Sequence, residues 1–337
     1  MPIAEEPPVP ITGLTYGTTQ SADELHITGG HRAVSQSRGH WVWTTTITPG
    51  GIAPLKPLPI QGVDALAKTL GAELFGGDSL SGFETKLISR VWTPLDGPNN
   101  GVLQPADLWA AIGGNAERAG DEGYGRLARN VAFSLHAAGI RLRDASDHYQ
   151  DQLAAAIEEE RKPGTRFSNI QMTDLQLAFH SVLSELASAR DYLAAIFARH
   201  EGAPPKVDAM NRLQDWLSAS SRADLRAKPI FSEMLKANDP ASEDPWLCQL
   251  TEYRNQFLHR NPMGAASGAR WLRYDVRDAH EIQFPFIEFP LGDDDSSAPG
   301  KDALLRFVEL YRKMTALLKT ATDHAAFPPK TPHFIAT

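Results

Sequence analysis

Cysteine is almost absent: Cys248 is the only one among 337 residues, so no intramolecular disulfide can form. That suits a reducing compartment, and the lone thiol reads as a small buried apolar side chain. Long apolar runs are missing too. No stretch approaches the roughly 20 residues a membrane span needs. Residues 1–8 carry neither the basic nor the apolar region of a secretory signal, so the expected location is cytoplasmic, without membrane contact. Positive charge is in deficit, with a formal net charge of −8. No global field draws such a chain to nucleic acid or anionic lipid, which leaves room only for a local, shaped site.

Several chemical signatures are lacking as well. There is no phosphate-cradling glycine loop with lysine, no Cys or His metal pair and no di-iron Glu-x-x-His. Gly77-Asp78-Ser79-Leu80-Ser81 misses the nucleophile elbow at its last glycine. Asp293-Asp294-Asp295 lacks calcium-loop spacing and reads as a solvated loop. His26, His31 and His40 are scattered. The expectation is therefore no metal and no cofactor.

What is present divides into two textures. Residues 1–117 are rich in proline and glycine and hold strand-like runs such as Trp41-Val42-Trp43-Thr44-Thr45-Thr46-Ile47-Thr48, closed by Pro49-Gly50-Gly51. Val63 to Leu74 and Pro105 to Ile112 suit short helices. This part reads as a small α/β or β-rich domain.

From Tyr124 to about Arg161 the apolar positions Leu127, Val131, Leu135, Ala138, Leu142, Ala145, Tyr149 and Leu153 recur at three and four, one face of a long helix. Thr173 with Gln176 makes a capping box, and Leu175, Phe179, Val182, Leu186, Leu193 and Phe197 continue a second stripe. Two long helices joined by a short connection should lie antiparallel. Shorter helices are expected over Val207–Leu217 and Phe231–Ala237. Another begins at Asp244-Pro245, a good N-cap followed by a proline at the first helical position, and runs to Pro262. Arg270 to Phe289 reads as strands, with Pro285 and Pro290 pointing to an edge strand. A last helix spans about Asp302 to Thr322. The fold class is thus α+β: a mainly helical up-and-down bundle over 118–325 with a strand insert near 270–290, a small N-terminal domain before it and a tail at 326–337.

The chemistry-bearing element is Tyr253-Arg254-Asn255-Gln256-Phe257-Leu258-His259-Arg260-Asn261-Pro262. Histidine moves protons near neutral pH, and arginine stays charged and can grip two phosphate oxygens. The pair suffices for RNA cleavage by attack of a ribose 2′-OH on the neighbouring phosphate, with His259 moving the proton and Arg254 stabilising charge on phosphorus. Residues five apart on an ideal helix point roughly 140° apart. Asn255 and His259 share a face, whereas Arg254 and His259 need the last turn to loosen before Pro262. Arg143 with His148 and Arg129 with His136 repeat the pattern inside the first long helix and are read as chance. The bland alternative for Arg254 and His259 is a helix-end pair meeting the macrodipole and orphan carbonyls.

Thr251-Glu252-Tyr253-Arg254-Asn255-Gln256-Phe257-Leu258-His259-Arg260 resembles the signature of the HEPN superfamily, an Arg, often then Asn, a few residues, then His late in a helical bundle. The helix Phe179–Ala194 is similar to the one preceding that motif in bacterial members. The resemblance covers about residues 120–325. It implies a homodimer with a composite site, and a metal-independent endoribonuclease acting as a toxin or antiphage-defence effector. In that reading Arg254 and His259 are catalytic, Asn255 orients them, and an antitoxin or regulatory protein is a possible partner. Arg260, Arg270 and Arg273 could guide the RNA backbone, although Asp275, Asp278 and Glu281 lie among them and suit a surface of mixed charge. The alternative implied by other family members is a non-catalytic helical dimer that binds a partner protein or ligand. The strand insert departs from the minimal bundle.

Overall fold

A computed structural model describes residues 20–37, 39–48, 51–83, 86–95, 103–255, 271–291 and 302–330. Among them the fold is α+β, with antiparallel sheets and much helix. No helix among the described residues is long and apolar enough to cross a membrane. The chain groups into two compact units, one made of residues 1–100, 143–175 and 264–305, the other of 101–142, 176–263 and 306–337. This division runs differently from the boundary expected near residue 117. The strand pair near 270–290 belongs with the N-terminal sheets, because its inward face completes their core.

The first unit begins with β1 (Gln20–Ile27), β2 (His31–Ser37), β3 (His40–Trp43), β4 (Ile47–Thr48), β5 (Gly51–Ile52) and β6 (Leu58–Pro59). Helix α1 (Ile60–Thr69), β7 (Leu74–Phe83) and β8 (Lys86–Pro94) follow, and later β9 (Thr165–Phe167), β10 (Leu272–Ala279) and β11 (Ile282–Glu288). Two antiparallel sheets result, ordered β6-β3-β2-β1-β7-β8 and β5-β4-β11-β10-β9. The β-branched run from Trp41 to Thr48 is not one strand. Its first part pairs with β2 in one sheet and Ile47 faces Gln283 in the other. Thr44 to Thr46 make the crossing, tied back by Thr44 N–H to Arg32 O at 3.2 Å and by the Thr46 hydroxyl to Ala53 O.

Alternation along β1 sends Leu25 and Ile27 one way and Glu24 and His26 the other. Leu25 and Ile27 join Ala33, Trp43, Leu74, the α1 residues Val63, Leu66 and Ala67 with Leu70 just after it, and Phe284 and Phe286 of β11 in one buried core. The turn between β1 and β2 packs tightly against it. A Cβ on Gly29, whose φ is +84°, would stand 2.3 Å from the Phe286 ring, and the N–H of Ile287 donates to Gly29 O at 3.0 Å. Pro285 does not lie on an edge strand, since β11 has β4 on one side and β10 on the other. The proline is tolerated because β4 is two residues long and meets β11 at Gln283 alone, leaving no ladder partner for the missing donor.

The second unit is helical. It holds α2 (Pro105–Arg118), the start of α3 (Glu122–Glu158), most of α4 (Met172–His200), α5 (Met210–Leu217), α6 (Ala223–Arg226), α7 (Pro229–Ala237), α8 (Trp246–Asn255) and most of α9 (Ala303–Thr322). The expected periodic face of α3 is buried at Val131, Leu135, Ala138, Leu142, Ala145, Tyr149 and Leu153. Asp121, which caps α3 through the Tyr124 N–H at 2.9 Å, also accepts from Arg199 at the end of α4. In the first unit Gln152 of α3 bonds Asn169 and Gln171 just before α4. The two long helices are therefore antiparallel. Helix α4 starts one residue before the expected capping box, and its cap is Asn169, whose Oδ1 accepts the Met172 N–H at 3.2 Å. Residues 326–330 are not loose: Ala326 N–H donates to the Tyr124 hydroxyl at 3.1 Å and Asn115 holds the carbonyl oxygens of Pro328 and Lys330.

Candidate functional site

Helix α8 is seated by Trp246, Leu247 and Leu250, all buried. Two neighbours hold it along its length. From α4, Arg190 donates to the Thr251 hydroxyl at 2.5 Å while also pairing with Asp191 at 2.9 Å. From α9, Arg306 donates to Gln249, and the Phe307 ring meets Tyr253 edge-on with centroids 6.1 Å apart. Phe307 in turn meets Phe179 of α4 at 5.0 Å. The described part of α8 is thus fixed by packing from α4 and α9.

Arg254 and Asn255 are the last described residues of α8, and Asn255 is exposed. Arg254 is half-buried, and its Nε is fully buried with no hydrogen-bond partner. A buried, unpaired donor of a charged group is costly. His259, Arg260 and Arg270 lie outside the described residues. Arg254 and Asn255 belong to the helical unit, Arg273 to the sheet unit on β10. The Arg273 guanidinium is engaged by Asp275 at 2.6 Å, which suits the mixed-charge surface. Cys248 departs from the buried reading: it is half-exposed on α8, with Sγ 3.7 Å from a Glu252 carboxylate oxygen. Partial burial and that carboxylate raise its pKa, which makes it a poor nucleophile.

A second constellation, unmarked by any sequence pattern, occupies the other face of the six-stranded sheet. His26 Nε2 lies 3.0 Å from Asp78 Oδ2, both fully buried. Arg90 donates through Nε to the same Asp78 oxygen at 2.6 Å and grips Asp147 of α3 with two nitrogens at 2.7 and 2.9 Å. Arg32, also buried, reaches Asp147 at 2.9 Å and Ser146 at 2.7 Å, with Glu24 4.0 Å from its Nε. Burial and the Arg32 charge push the His26 pKa down to about 4, so the imidazole is neutral at pH 7. Asp147 is held far below the usual carboxylate range by the arginines, against the opposing effect of its burial.

His26 and Asp78 have the orientation of a general base and its partner carboxylate. Yet the other imidazole nitrogen, Nδ1, is buried without a partner, and no hydroxyl or thiol meets it. The cluster therefore cross-links sheet and helix with charge-assisted bonds rather than presenting a reactive atom. His31 is a core residue: Trp43 Nε1 donates to its Nδ1 at 3.1 Å, and Phe286 closes on the ring with centroids 4.5 Å apart. Among the described residues no three His, Cys, Asp or Glu side chains gather where they could hold a metal ion. Only long-range pairing brings the sheet cluster together, Asp78 lying 52 residues from His26. No family model, no curated protein and no solved structure matches the chain.

Proposed function

We propose that this chain is a metal-independent endoribonuclease of HEPN type, acting as a homodimer in a toxin or antiphage-defence role. The observation that carries the reading is Arg254: a guanidinium nitrogen buried without a partner, near the end of the described part of α8, in a sequence that continues to His259. A phosphate oxygen would satisfy that donor. Support comes also from the packing of α4, α8 and α9 around Phe307, which rigidifies the helix that presents the arginine.

The chemistry needs few parts. The 2′-oxygen attacks phosphorus, and His259 takes its proton. Arg254 stabilises the phosphorane as negative charge grows on the non-bridging oxygens. The P–O5′ bond then breaks, His259 returns the proton to the departing oxygen, and a 2′,3′-cyclic phosphate and a 5′-hydroxyl result. Asn255 would orient the pair.

Purified protein should cleave RNA in EDTA and leave these ends. His259→Ala should abolish cleavage without lowering the melting temperature, and Arg254→Ala should slow it by about 10²–10³-fold. Undiminished cleavage by His259→Ala would end the assignment. A second reading, a helical dimer that binds a protein or ligand without catalysis, is favoured by the ion pair that occupies Arg273 and by the net charge of −8. It requires that no RNA be cleaved and that partner binding survive when Arg254 and His259 are both alanine.

A further inference from the structure

The sheet unit contains a cavity of about 570 Å³ between α1, the segment leading into it and the far end of the β10–β11 hairpin. Leu58, Leu66, Ile282 and Phe284 form its walls, and the lining is overwhelmingly apolar. The volume falls within the roughly 300–1,000 Å³ of small-molecule sites. None of its lining residues belongs to the buried charge cluster.

Two features give this cavity a chemical preference. Among the described residues, the ionisable ones that line it are basic, Lys56 and His280, in a chain that carries eight more negative than positive charges. Lys56 is exposed and makes no ion pair or hydrogen bond among the described residues. The second feature is backbone strain. His280 and Glu281 form the two-residue turn between Ala279 and Ile282, with φ of +52° and +65°. Such a turn favours Asn-Gly. A histidine kept in the left-handed region at the mouth of an apolar cavity brings an N–H donor there at a conformational cost.

The geometry points to a binding site for a straight-chain alkyl carboxylate, its chain among Leu58, Leu66, Ile282 and Phe284 and its head group met by Lys56 and the His280 imidazole. The apolar walls offer nothing to a ligand polar along its length. An uncharged alkyl ligand would leave the cation unused.

Calorimetric titration of the full chain with hexanoate, octanoate and octan-1-ol tests this. Each added methylene should tighten carboxylate binding about fourfold while the cavity has room. Octanoate should bind at least tenfold more tightly than octan-1-ol. Lys56→Glu should erase that preference and leave octan-1-ol unchanged. Ala65→Trp, on the α1 wall, should abolish binding of both. Lys56 and Ala65 are exposed, and the lysine variant keeps the test decisive if the bulky one misfolds. Absence of octanoate binding at millimolar concentration, equal affinity for acid and alcohol, or octanoate affinity unmoved by Lys56→Glu would overturn the assignment. Ribonuclease activity is not the readout, so failure here leaves the Arg254 reading untouched, and the converse holds.

Discussion

Single residues in the sheet unit carry unusually large constraints. Gly29 combines a positive φ with a ring 2.3 Å from where its Cβ would be. Gly29→Ala should therefore lose on both counts, by about 2–5 kcal/mol, read as a drop in the urea midpoint at constant slope. The buried histidines set a pH dependence. His26 is held at about 4, and burial with the nearby Arg277 and Arg32 charges holds His31 at about 3, both below the ordinary 6.5. The unfolded chain thus binds these protons more readily. Their contribution to stability is complete above about pH 6.5 and is lost as pH falls toward 4 and 3. Asp302 works the other way. Its carboxyl caps α9 through the Leu305 N–H and accepts from the Tyr149 hydroxyl at 2.6 Å, yet burial raises it to about 6. Its effect stabilises the fold as pH falls from 6 toward 4. Two histidines outweigh one aspartate, so stability should decline between pH 6.5 and 4. His26→Gln should flatten that slope by up to about 1.4 kcal/mol per pH unit. An unchanged profile in urea titrations would mean that His26 is already protonated in the fold.

At the scale of elements, the strained β10–β11 turn makes a prediction that separates stability from binding. Replacing His280-Glu281 by Asn-Gly relieves two non-glycine residues at positive φ and should raise stability by about 1–3 kcal/mol. In calorimetry the same double variant should bind octanoate less tightly, since the imidazole is gone. A tighter fold with unaltered binding would assign the strain to no function. The elements also show where sequence reading succeeds. Helices α3, α4 and α9 were legible because a three-and-four periodicity is local; α3 buries one stripe, as at Val131, Leu135 and Leu142, while α4 is buried all round from Leu193 to Ala198. The strands were legible as runs but not as partners. Nothing local says that Trp43 and Ile47, four residues apart, enter different sheets, or that Phe284 and Phe286 finish a core begun by Leu25 and Ile27. The same limit hid the His26–Asp78–Arg90–Asp147 cluster, whose members come from four elements. Arg254 was visible because its neighbours in sequence, Asn255 and His259, carry the pattern.

For the molecule as a whole, the proposed ribonuclease makes a claim about stoichiometry. The composite site is a groove shared by both copies of Arg254 and His259; where the working pair takes Arg254 from one protomer and His259 from its partner, a two-fold dimer holds two such pairs. Neither Arg254→Ala nor His259→Ala alone can then assemble a complete pair in its own homodimer. Mixed in equal amounts and allowed to exchange, about half the dimers are mixed, and each of these holds one intact pair. The mixture should recover about a quarter of the wild-type rate, measured on a defined RNA in EDTA, while each variant alone stays near zero. A site built within one chain behaves differently, because every chain in the mixture lacks one of the two groups. It recovers nothing at any ratio or incubation time. Subunit exchange, followed by fluorescence transfer between differently labelled variants, confirms that mixed dimers have formed. Exchange without recovered cleavage would place Arg254 and His259 in one protomer, and with them the groove that must hold the scissile phosphate.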